Sequence, residues 1–248
     1  MSNTQPSAPP AQNRRRNIII GVIVVVVLGL LVAFVGPIIY RDYIVGEAPE
    51  APTVATASAD PAGGDTTPES TLTDASGDWQ VGTGSYAGYR VDEVLNGTDV
   101  TVVGRTEDVT GTFTVADQSL ESGAITVDTA SITTDEGRRD DYFRENTLRT
   151  SEFPTAEFTL TEPVDVADLL ANGASSTMSV PGELTVAGET QPVTAELQAA
   201  VDGSGVQVAG SIPITFADFG VDAPDLGFVS VEPDGSVEFL LNLEQAAS

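Results

Sequence analysis

From Asp78 onward, apolar residues recur at every second position, and this periodicity restricts the possible folds more than any other feature of the chain. A period of two places apolar side chains on one face of a β-strand, whereas an amphipathic helix has a period of about 3.6. The clearest examples are Ile125 with Val127, Phe158 with Leu160, Leu184 with Val186, and the longer series Val206–Phe216 and Val237–Leu243. The pattern predicts an all-β domain over residues 78–248.

Turn-forming pairs divide the alternating segments from one another. Asn96-Gly97, Asp202-Gly203 and Asp234-Gly235 are typical of tight antiparallel connections. Short helices are expected only around 137–145 and 166–170. The long alternating segments favour an elongated antiparallel β-barrel of about eight strands, and a two-sheet sandwich is the alternative that fits the same pattern.

A long uncharged run, NIIIGVIVVVVLGLLVAFVGPIIY at residues 17–40, precedes this domain. At ~1.5 Å per residue a helix of this length spans about 36 Å, which exceeds the ~30 Å hydrocarbon core of a bilayer. Arg14–Arg16 lie directly before the run, and every acidic residue follows it. The positive-inside rule then predicts a cytoplasmic basic N-terminus at 1–17, a single transmembrane helix at 18–40 and an extracytoplasmic remainder. A cleaved signal peptide fits less well, since its apolar region is usually ~7–15 residues.

The stretch at 41–77 connects the apolar run to the alternating region. It is acidic, rich in Pro, Ala and Thr, and from Gly46 onward has no aromatic residue. Such a composition cannot bury enough apolar surface to offset the entropy lost on ordering. We therefore predict a flexible tether between a membrane anchor and the β-domain.

Composition excludes several classes of function. The chain contains no cysteine and no histidine, which removes the thiol nucleophile, the commonest general base and the commonest transition-metal ligands. A net charge of −27 repels phosphate backbones and argues against nucleic-acid binding. No acidic stretch has the spacing of a calcium-binding EF-hand loop. We expect no catalysis, metal or cofactor, and a carboxylate-using hydrolase is the least favoured alternative.

One segment concentrates positive charge in this acidic domain. Within twelve positions it carries four of the ten basic residues of the chain, Arg138, Arg139, Arg144 and Arg149. Neighbouring acids could pair with them in surface ion pairs worth ~0–1 kcal/mol each. Alternatively, the guanidinium groups could stand at the rim of a pocket and meet an anionic head group, with Tyr142 and Phe143 giving apolar contact near the entrance. The residues alone leave both readings open.

The alternating pattern also predicts which residues face the interior of the β-domain. They are Phe113, Ile125, Val127, Phe158, Leu160, Leu184, Val186, Phe216 and Phe239. Such residues usually fill a solid core. A barrel of about eight strands is, however, also wide enough to hold one small ligand. Periodicity does not choose between a filled core and a pocket.

Four segments together resemble a known family. They are VTGTF at 109–113, ITVDTASITTDEGRRDDYFRENTLRTSEFPTAEFTL at 125–160, GELTVAGETQPV at 182–193 and ADFGV at 217–221. Their sequence and order resemble the recurrent segments of the YceI-like, polyisoprenoid-binding family over about residues 78–245. The resemblance implies a lipocalin-like β-barrel that holds a polyprenyl lipid or quinone tail without catalysis. Many members have a histidine where this chain has Tyr142, so no histidine-dependent role is carried over.

The resulting expectation is a single-pass, membrane-anchored, extracytoplasmic protein that binds an isoprenoid lipid. Its expected partners are that lipid and the membrane crossed by residues 18–40, and no protein partner is indicated. The alternative is a structural or adhesive β-rich ectodomain without a ligand, which the composition permits equally well.

Overall fold

A computed structural model of the chain describes residues 48–54, 72, 75–172 and 176–246. The predicted cytoplasmic N-terminus, the predicted membrane span at 18–40 and most of the predicted tether lie outside the described residues. Within the described ranges, no helix combines the length and apolar character needed to span a bilayer.

One antiparallel sheet of eleven strands dominates the described part of the chain. Its strands are β1 (Gly77–Val81), β2 (Tyr86–Leu95), β3 (Thr98–Thr106), β4 (Val109–Ala116), β5 (Ser119–Asp128), β6 (Thr155–Leu160), β7 (Val164–Asp165), β8 (Ser176–Val186), β9 (Glu189–Asp202), β10 (Gly205–Thr215) and β11 (Val229–Gln245). The helical elements are α1 (Gly137–Tyr142), a π-helical segment (Phe143–Thr147), α2 (Ala167–Asn172) and two 3-10 turns (Thr129–Ser131 and Phe216–Phe219).

The sheet closes into a barrel. Eight strands form the ring in the order β1-β4-β5-β6-β8-β9-β10-β11, and β11 pairs back onto β1 through Trp79 and Gln245. Closure satisfies the strand edges that an open sheet would leave unpaired. The prediction of an antiparallel barrel of about eight strands is therefore confirmed, and the sandwich alternative is wrong.

The long strand β11 makes the two ends of the barrel different. Its 17 residues pair with β1 near the C-terminal end and with β2 along the rest of the same edge. The hairpin of β2 and β3 thus continues the wall toward one end. Beyond β3, Arg105 and Thr133 exchange two backbone hydrogen bonds of 3.0 and 3.1 Å. The segment between β5 and β6, which includes α1, therefore lies along the edge of β3.

Local hydrogen bonds define the helical part of this segment. The side chain of Asp140 accepts hydrogen bonds from the backbone N–H and the hydroxyl of Thr134, at 2.9 and 2.7 Å, and so ties the loop before α1 to the helix. Leu148 N–H donates to the carbonyl of Phe143 at 2.9 Å, five residues back, as a π-helical turn requires. The short helices expected around 137–145 and 166–170 are both present.

Two of the three predicted turns are correct. Asn96 and Gly97 connect β2 to β3 with φ values of 52° and 80°, as a type I′ hairpin requires. Asp202-Gly203 lies at the connection of β9 to β10.

The third predicted turn, Asp234-Gly235, is wrong. It lies inside β11, where the pairing with β2 shifts register between Val231 and Gly235. A side chain at Gly235 would approach the ring of Phe216 to 2.9 Å, so the glycine at this irregularity makes room for an aromatic ring. Phe216 itself starts a 3-10 turn and does not extend β10.

Residues 48–54, assigned to the flexible tether by composition, lie against the outside of the barrel. Val54 is only 4 % exposed and packs on Ala200, Ala209 and Leu240. Composition did not predict this contact. One buried apolar side chain and two backbone carbonyls are enough to order the strap, because the outer face of the barrel provides a matching surface. We call residues 48–54 the strap.

Two arginines on the outer face bind the strap and a buried carboxylate. Arg90 donates to the carbonyl of Pro49 at 2.6 Å, and Arg105 donates to that of Glu50 at 2.8 Å. The same two guanidinium groups lie 2.5 and 3.7 Å from the carboxylate of Glu238, which is 3 % exposed. This outer ion-pair cluster is separate from the barrel interior, because Glu238 alternates with inward-facing Val237 and Phe239.

Candidate functional site

Two neighbouring cavities lie in the barrel interior that the described residues form. The first has a volume of about 170 Å³ and is walled by aliphatic and aromatic side chains from the ring strands and α2. Glu157 also lies at this wall but contributes no polar surface to the cavity. We call it the apolar cavity. It is lined by seven of the predicted interior residues, Phe113, Ile125, Val127, Phe158, Leu160, Leu184 and Phe239.

Glycines opposite aromatic residues keep the apolar cavity open. A side chain at Gly182 would approach the ring of Phe158 to 2.3 Å, and one at Gly123 would approach Phe113 to 2.8 Å. Each ring therefore covers backbone that has no side chain of its own. The rings lie close to the wall, which leaves room along the centre of the barrel.

Trp79 and α2 complete the apolar cavity, and neither was expected to do so. The Trp79 side chain is 3 % exposed, and its indole N–H donates to the carbonyl of Ala75 at 2.8 Å. Leu169 and Leu170 of α2 contribute to the same wall. Trp79 is the one tryptophan of the chain and stands at the start of the alternating region, which could have indicated a buried position.

The second cavity has a volume of about 160 Å³ and a polar part to its lining. Its walls come from β2, the segment between β5 and β6, and residues around the 3-10 turn Phe216–Phe219. We call it the mixed cavity. It shares four lining residues with the apolar cavity, Ala87, Val127, Ala156 and Val237. These four define a waist between the two cavities.

The predicted site residues divide between the two cavities and the surface. Val186 and Phe216, the remaining predicted interior residues, line the mixed cavity. Tyr142 and Phe143 line it as well, and Tyr142 is also 36 % exposed, so this cavity approaches the surface of the protein.

The structure separates the four arginines of the predicted rim. Arg139 alone lines the mixed cavity. Arg144 pairs with Asp141 at 2.7 Å on the surface. The exposed Arg138 has no ion pair within the described residues.

Arg149 also lies on the surface, away from both cavities. It is 3.7 Å from Glu152 and stacks over the ring of Phe153 at 5.2 Å. Local ion pairing therefore accounts for much of the arginine cluster that stands out in the sequence.

Arg139 is held between two carboxylates. Its guanidinium is 3.2 Å from Glu93, which is 5 % exposed, and 2.6 Å from Asp135. Burial by itself would lower the pKa of Arg139, but the negative charges of Glu93 and Asp135 outweigh that effect and raise it. Since one cation faces two anions, the group carries a net negative charge.

Tyr89 is one of the neutral polar residues at this cavity. Its ring stacks on Phe143, with centroids 4.9 Å apart and planes inclined by 18°. The ring also covers Gly104, where a side chain would approach it to 2.5 Å. Burial raises the pKa of the Tyr89 phenol, so it stays protonated at neutral pH. Its hydroxyl has no hydrogen-bond partner in the described part of the chain.

Tyr89 and Glu93 were not recognised from the sequence. Their position in the alternating pattern could have indicated an inward orientation. The pattern places them on the same face of β2 as the apolar residues Ala87 and Val91. An acidic residue in an inward register is unusual, because buried carboxylates need a partner. The partner, Arg139, is 46 positions away in the chain.

A closed antiparallel barrel of eight strands belongs to a class of β-barrels whose interior is either filled by side chains or wide enough to hold one small ligand. The alternation, the ring of eight strands and the two cavities all fit this class. The chain belongs to the family of YceI-like domains, whose family model matches residues 79–243. The resemblance inferred from the sequence motifs is thereby confirmed.

Curated relatives and solved structures agree with this membership. A UPF0312 protein of Pseudomonas aeruginosa is 34 % identical over 152 residues, which covers 57 % of this chain and 72 % of that protein. A polyisoprenoid binding domain from Saccharophagus degradans, implicated in plant cell wall breakdown, has a TM-score of 0.55 at 19 % identity, covering 68 % of this chain and 98 % of the other. Burkholderia cenocepacia BcnA has a TM-score of 0.52 at 20 % identity, covering 64 % and 95 %. At these identities the two structures show a shared fold.

Proposed function

We propose that this protein is a non-catalytic lipid-binding protein that holds an isoprenoid chain inside the barrel. The observation that carries the proposal is the apolar cavity, to whose wall each of the eight ring strands contributes inward-facing residues. An apolar chain gains roughly 0.8 kcal/mol for each buried CH₂ before ordering costs. The shared fold with a domain described as polyisoprenoid binding supports an isoprenoid over other apolar ligands.

The size of the interior indicates the length of chain that fits. A dry cavity of about 150 Å³ accepts benzene, and the two cavities here measure about 170 and 160 Å³. Together they accommodate about two to three isoprene units. A longer chain requires the walls to move apart or its end to remain outside.

We further propose that the chain passes through the waist and occupies both cavities. Two of the four waist residues are alanines, Ala87 and Ala156, which restrict the passage less than larger side chains would. The polar end of the lipid then lies in the mixed cavity, which is the one with polar lining groups. This direction keeps the fully apolar part of the ligand in the apolar cavity.

The cellular placement is part of the same proposal. Residues 18–40 anchor the protein in the membrane as a single span, and the barrel lies on the extracytoplasmic side. The uncharged run and the arginines before it support this placement. Protease added to intact cells is expected to release the barrel by cutting in the acidic tether. A tether that is cut only after the cells are broken contradicts the orientation.

Lipid content and chain-length dependence test the binding function. The protein is purified without organic solvent, then extracted, and the extract is analysed by mass spectrometry for isoprenoids. In parallel, equilibrium binding is measured for geraniol, farnesol and geranylgeraniol. Affinity is expected to rise from the first to the second alcohol and to rise little beyond it, because the cavities are then full. Absence of bound lipid together with no binding of any alcohol favours the structural ectodomain instead.

A further inference from the structure

The polar groups of the mixed cavity differ greatly in their freedom to bind a ligand. Among the described residues Arg139 is the only basic one in its lining, and both Glu93 and Asp135 pair with it. Thr129, also in the lining, already donates its hydroxyl toward the carbonyls of Phe153 and Pro154, at 3.2 and 2.9 Å. Among the described residues, Tyr89, Tyr142 and Thr147 line this cavity with hydroxyls that no described residue engages. Tyr142 is exposed, whereas the Tyr89 ring is held in place by its stack on Phe143, so the Tyr89 phenol is the donor best fixed for a ligand inside the cavity.

A negatively charged end group would meet an unfavourable field here. To reach Arg139 it must approach Glu93, whose carboxylate is nearly excluded from solvent. Asp222, a further acid, also lines this cavity. Like charges brought together in a poorly solvated site repel strongly. A phosphate would also have to displace Glu93 or Asp135 from the guanidinium that each already neutralises.

An uncharged oxygen meets none of these obstacles. An alcohol or carbonyl oxygen can accept a hydrogen bond from the Tyr89 phenol, which the stack on Phe143 and the contact with Gly104 hold in place. An alcohol can in addition donate to Glu93. Desolvating a neutral oxygen costs far less than desolvating a phosphate.

We propose that the mixed cavity selects lipids whose end group is an uncharged alcohol or carbonyl oxygen and rejects those that end in phosphate. The inference rests on the proposed lipid-binding function and adds the chemical class of the end group. It assigns specificity to Glu93 and Tyr89, and it makes Arg139 a neutralised partner of Glu93, in contrast to the anion-binding role that the arginine cluster suggests from the sequence.

A matched pair of ligands tests the selection directly. Binding of farnesol and farnesyl phosphate to the full chain is measured at equilibrium, with partition into the carrier detergent determined in parallel. Farnesol is expected to bind at least about tenfold more tightly after this correction. Equal binding, or a preference for the phosphate, overturns the proposal.

The variant Glu93→Gln identifies the cause of the selection. It removes the buried negative charge and leaves Arg139 with only the exposed Asp135, so farnesyl phosphate is expected to bind about tenfold more tightly than to the native chain. Farnesol should change by less than about threefold. Glu238→Gln is the matched control, because Glu238 is also a buried carboxylate paired with arginine but lies on the outer face. Equal effects of the two variants on the phosphate contradict the assignment to Glu93.

The variant Tyr89→Phe tests the donor. It removes only the hydroxyl and keeps the ring stack, so farnesol is expected to bind about two- to tenfold more weakly, as for one lost hydrogen bond. Farnesyl phosphate is expected to change less than farnesol. Unchanged farnesol binding removes Tyr89 from the site and overturns that half of the proposal.

A second ligand pair separates this inference from the proposed function. Dodecanol and dodecyl phosphate carry the same two end groups on an unbranched chain and are measured below their aggregation concentrations. If neither farnesyl compound binds but dodecanol is preferred over dodecyl phosphate, the isoprenoid function fails and the end-group selection stands. If the alcohols of both pairs bind no better than the phosphates, the selection fails while lipid binding stands. If no compound binds, both are wrong.

Discussion

The two cavities have similar volumes, about 170 and 160 Å³, but their walls are built in different ways. The apolar cavity is enclosed by strands that alternate regularly around a closed ring, with α2 at its end. The mixed cavity lies where the β2–β3 hairpin extends the barrel and the segment between β5 and β6 completes the wall. The closed ring therefore encloses an apolar space, whereas the mixed cavity combines Tyr89 and Glu93 of β2 with Arg139 of the irregular segment.

The difference follows from the partners with which the backbone of each wall forms its hydrogen bonds. In the ring, hydrogen bonds between strands pair the backbone, so the inward side chains are free to be entirely apolar. Beyond β3 the backbone is partly satisfied by turns and side chains, such as the pairing of Asp140 with Thr134. Binding affinity is therefore expected from the apolar cavity and selectivity from the mixed cavity, where Tyr89 and Glu93 of β2 face Arg139 of the segment between β5 and β6.

The largest expected effect comes from placing a charge in the apolar cavity. Leu184→Asp buries a carboxylate with no partner, and the free energy of unfolding is expected to fall by about 4 kcal/mol or more. Denaturant unfolding monitored by Trp79 fluorescence measures it. Leu226→Asp is the control, because Leu226 is 48 % exposed and its replacement should cost less than about 0.5 kcal/mol. A stable, folded Leu184→Asp protein would show that this cavity is wetter than its lining indicates.

Blocking the waist is expected to have the next largest effect. Ala156→Leu fills the passage between the cavities, so farnesol should lose about tenfold or more in affinity, while the shorter geraniol loses less. The two alcohols are compared at equilibrium on the same preparations. Ala124→Leu, on the neighbouring strand β5 and exposed, is the matched control. Equal losses for both alcohols indicate that the chain occupies only one cavity.

Loosening the strap should affect stability without affecting either cavity. Val54→Ala removes part of a buried apolar contact on the outer face, and the free energy of unfolding is expected to fall by about 1 kcal/mol. Farnesol affinity should stay within the error of the native value. Thermal unfolding and equilibrium binding measure the two quantities, and a loss of binding indicates that the outer face is coupled to the interior.

The smallest effect is the pH dependence caused by Tyr89. Because its pKa is raised in the folded state, the phenol contributes stability that is fully present below about pH 10 and is lost as pH rises further. Between pH 9 and 11 the native protein is expected to lose about 1 kcal/mol more than Tyr89→Phe. Unfolding midpoints across that range give the difference, and identical slopes indicate that Tyr89 ionises as freely as in the unfolded chain.

Much of the fold and part of the site were predictable because they depend on near neighbours in the chain. All nine expected interior residues line one of the cavities. Eight of them lie on strands, where alternation alone decides which face a residue occupies, and the ninth, Phe216, lies in a 3-10 turn. The tight turn at Asn96-Gly97 has the same local origin. Asp234-Gly235 shows the limit, because the same dipeptide type can form a turn or an irregularity within a strand, and only the pairing with β2 distinguishes them.

The arginine cluster shows what sequence proximity cannot establish. Four arginines close together in the chain suggested one anion site, yet only Arg139 faces the interior. The side chains of a short helix and the turns around it point in different directions, so their spacing does not bring them to one ligand. Tyr89 and Glu93 were not predicted as site residues, because Tyr89 stacks on Phe143 and Glu93 pairs with Arg139, and both partners are distant in sequence.

The sequence by itself determined the class of the fold, the family and the set of inward-facing apolar residues, because these depend on periodicity and on short motifs. Only the tertiary structure decided that the ring closes through β1 and β11, that its interior contains two cavities and that the polar groups lie at one of them. It also decided that the strap docks on the outer face. Each of these depends on contacts between residues far apart in the chain, whose energies arise only after the strands have assembled.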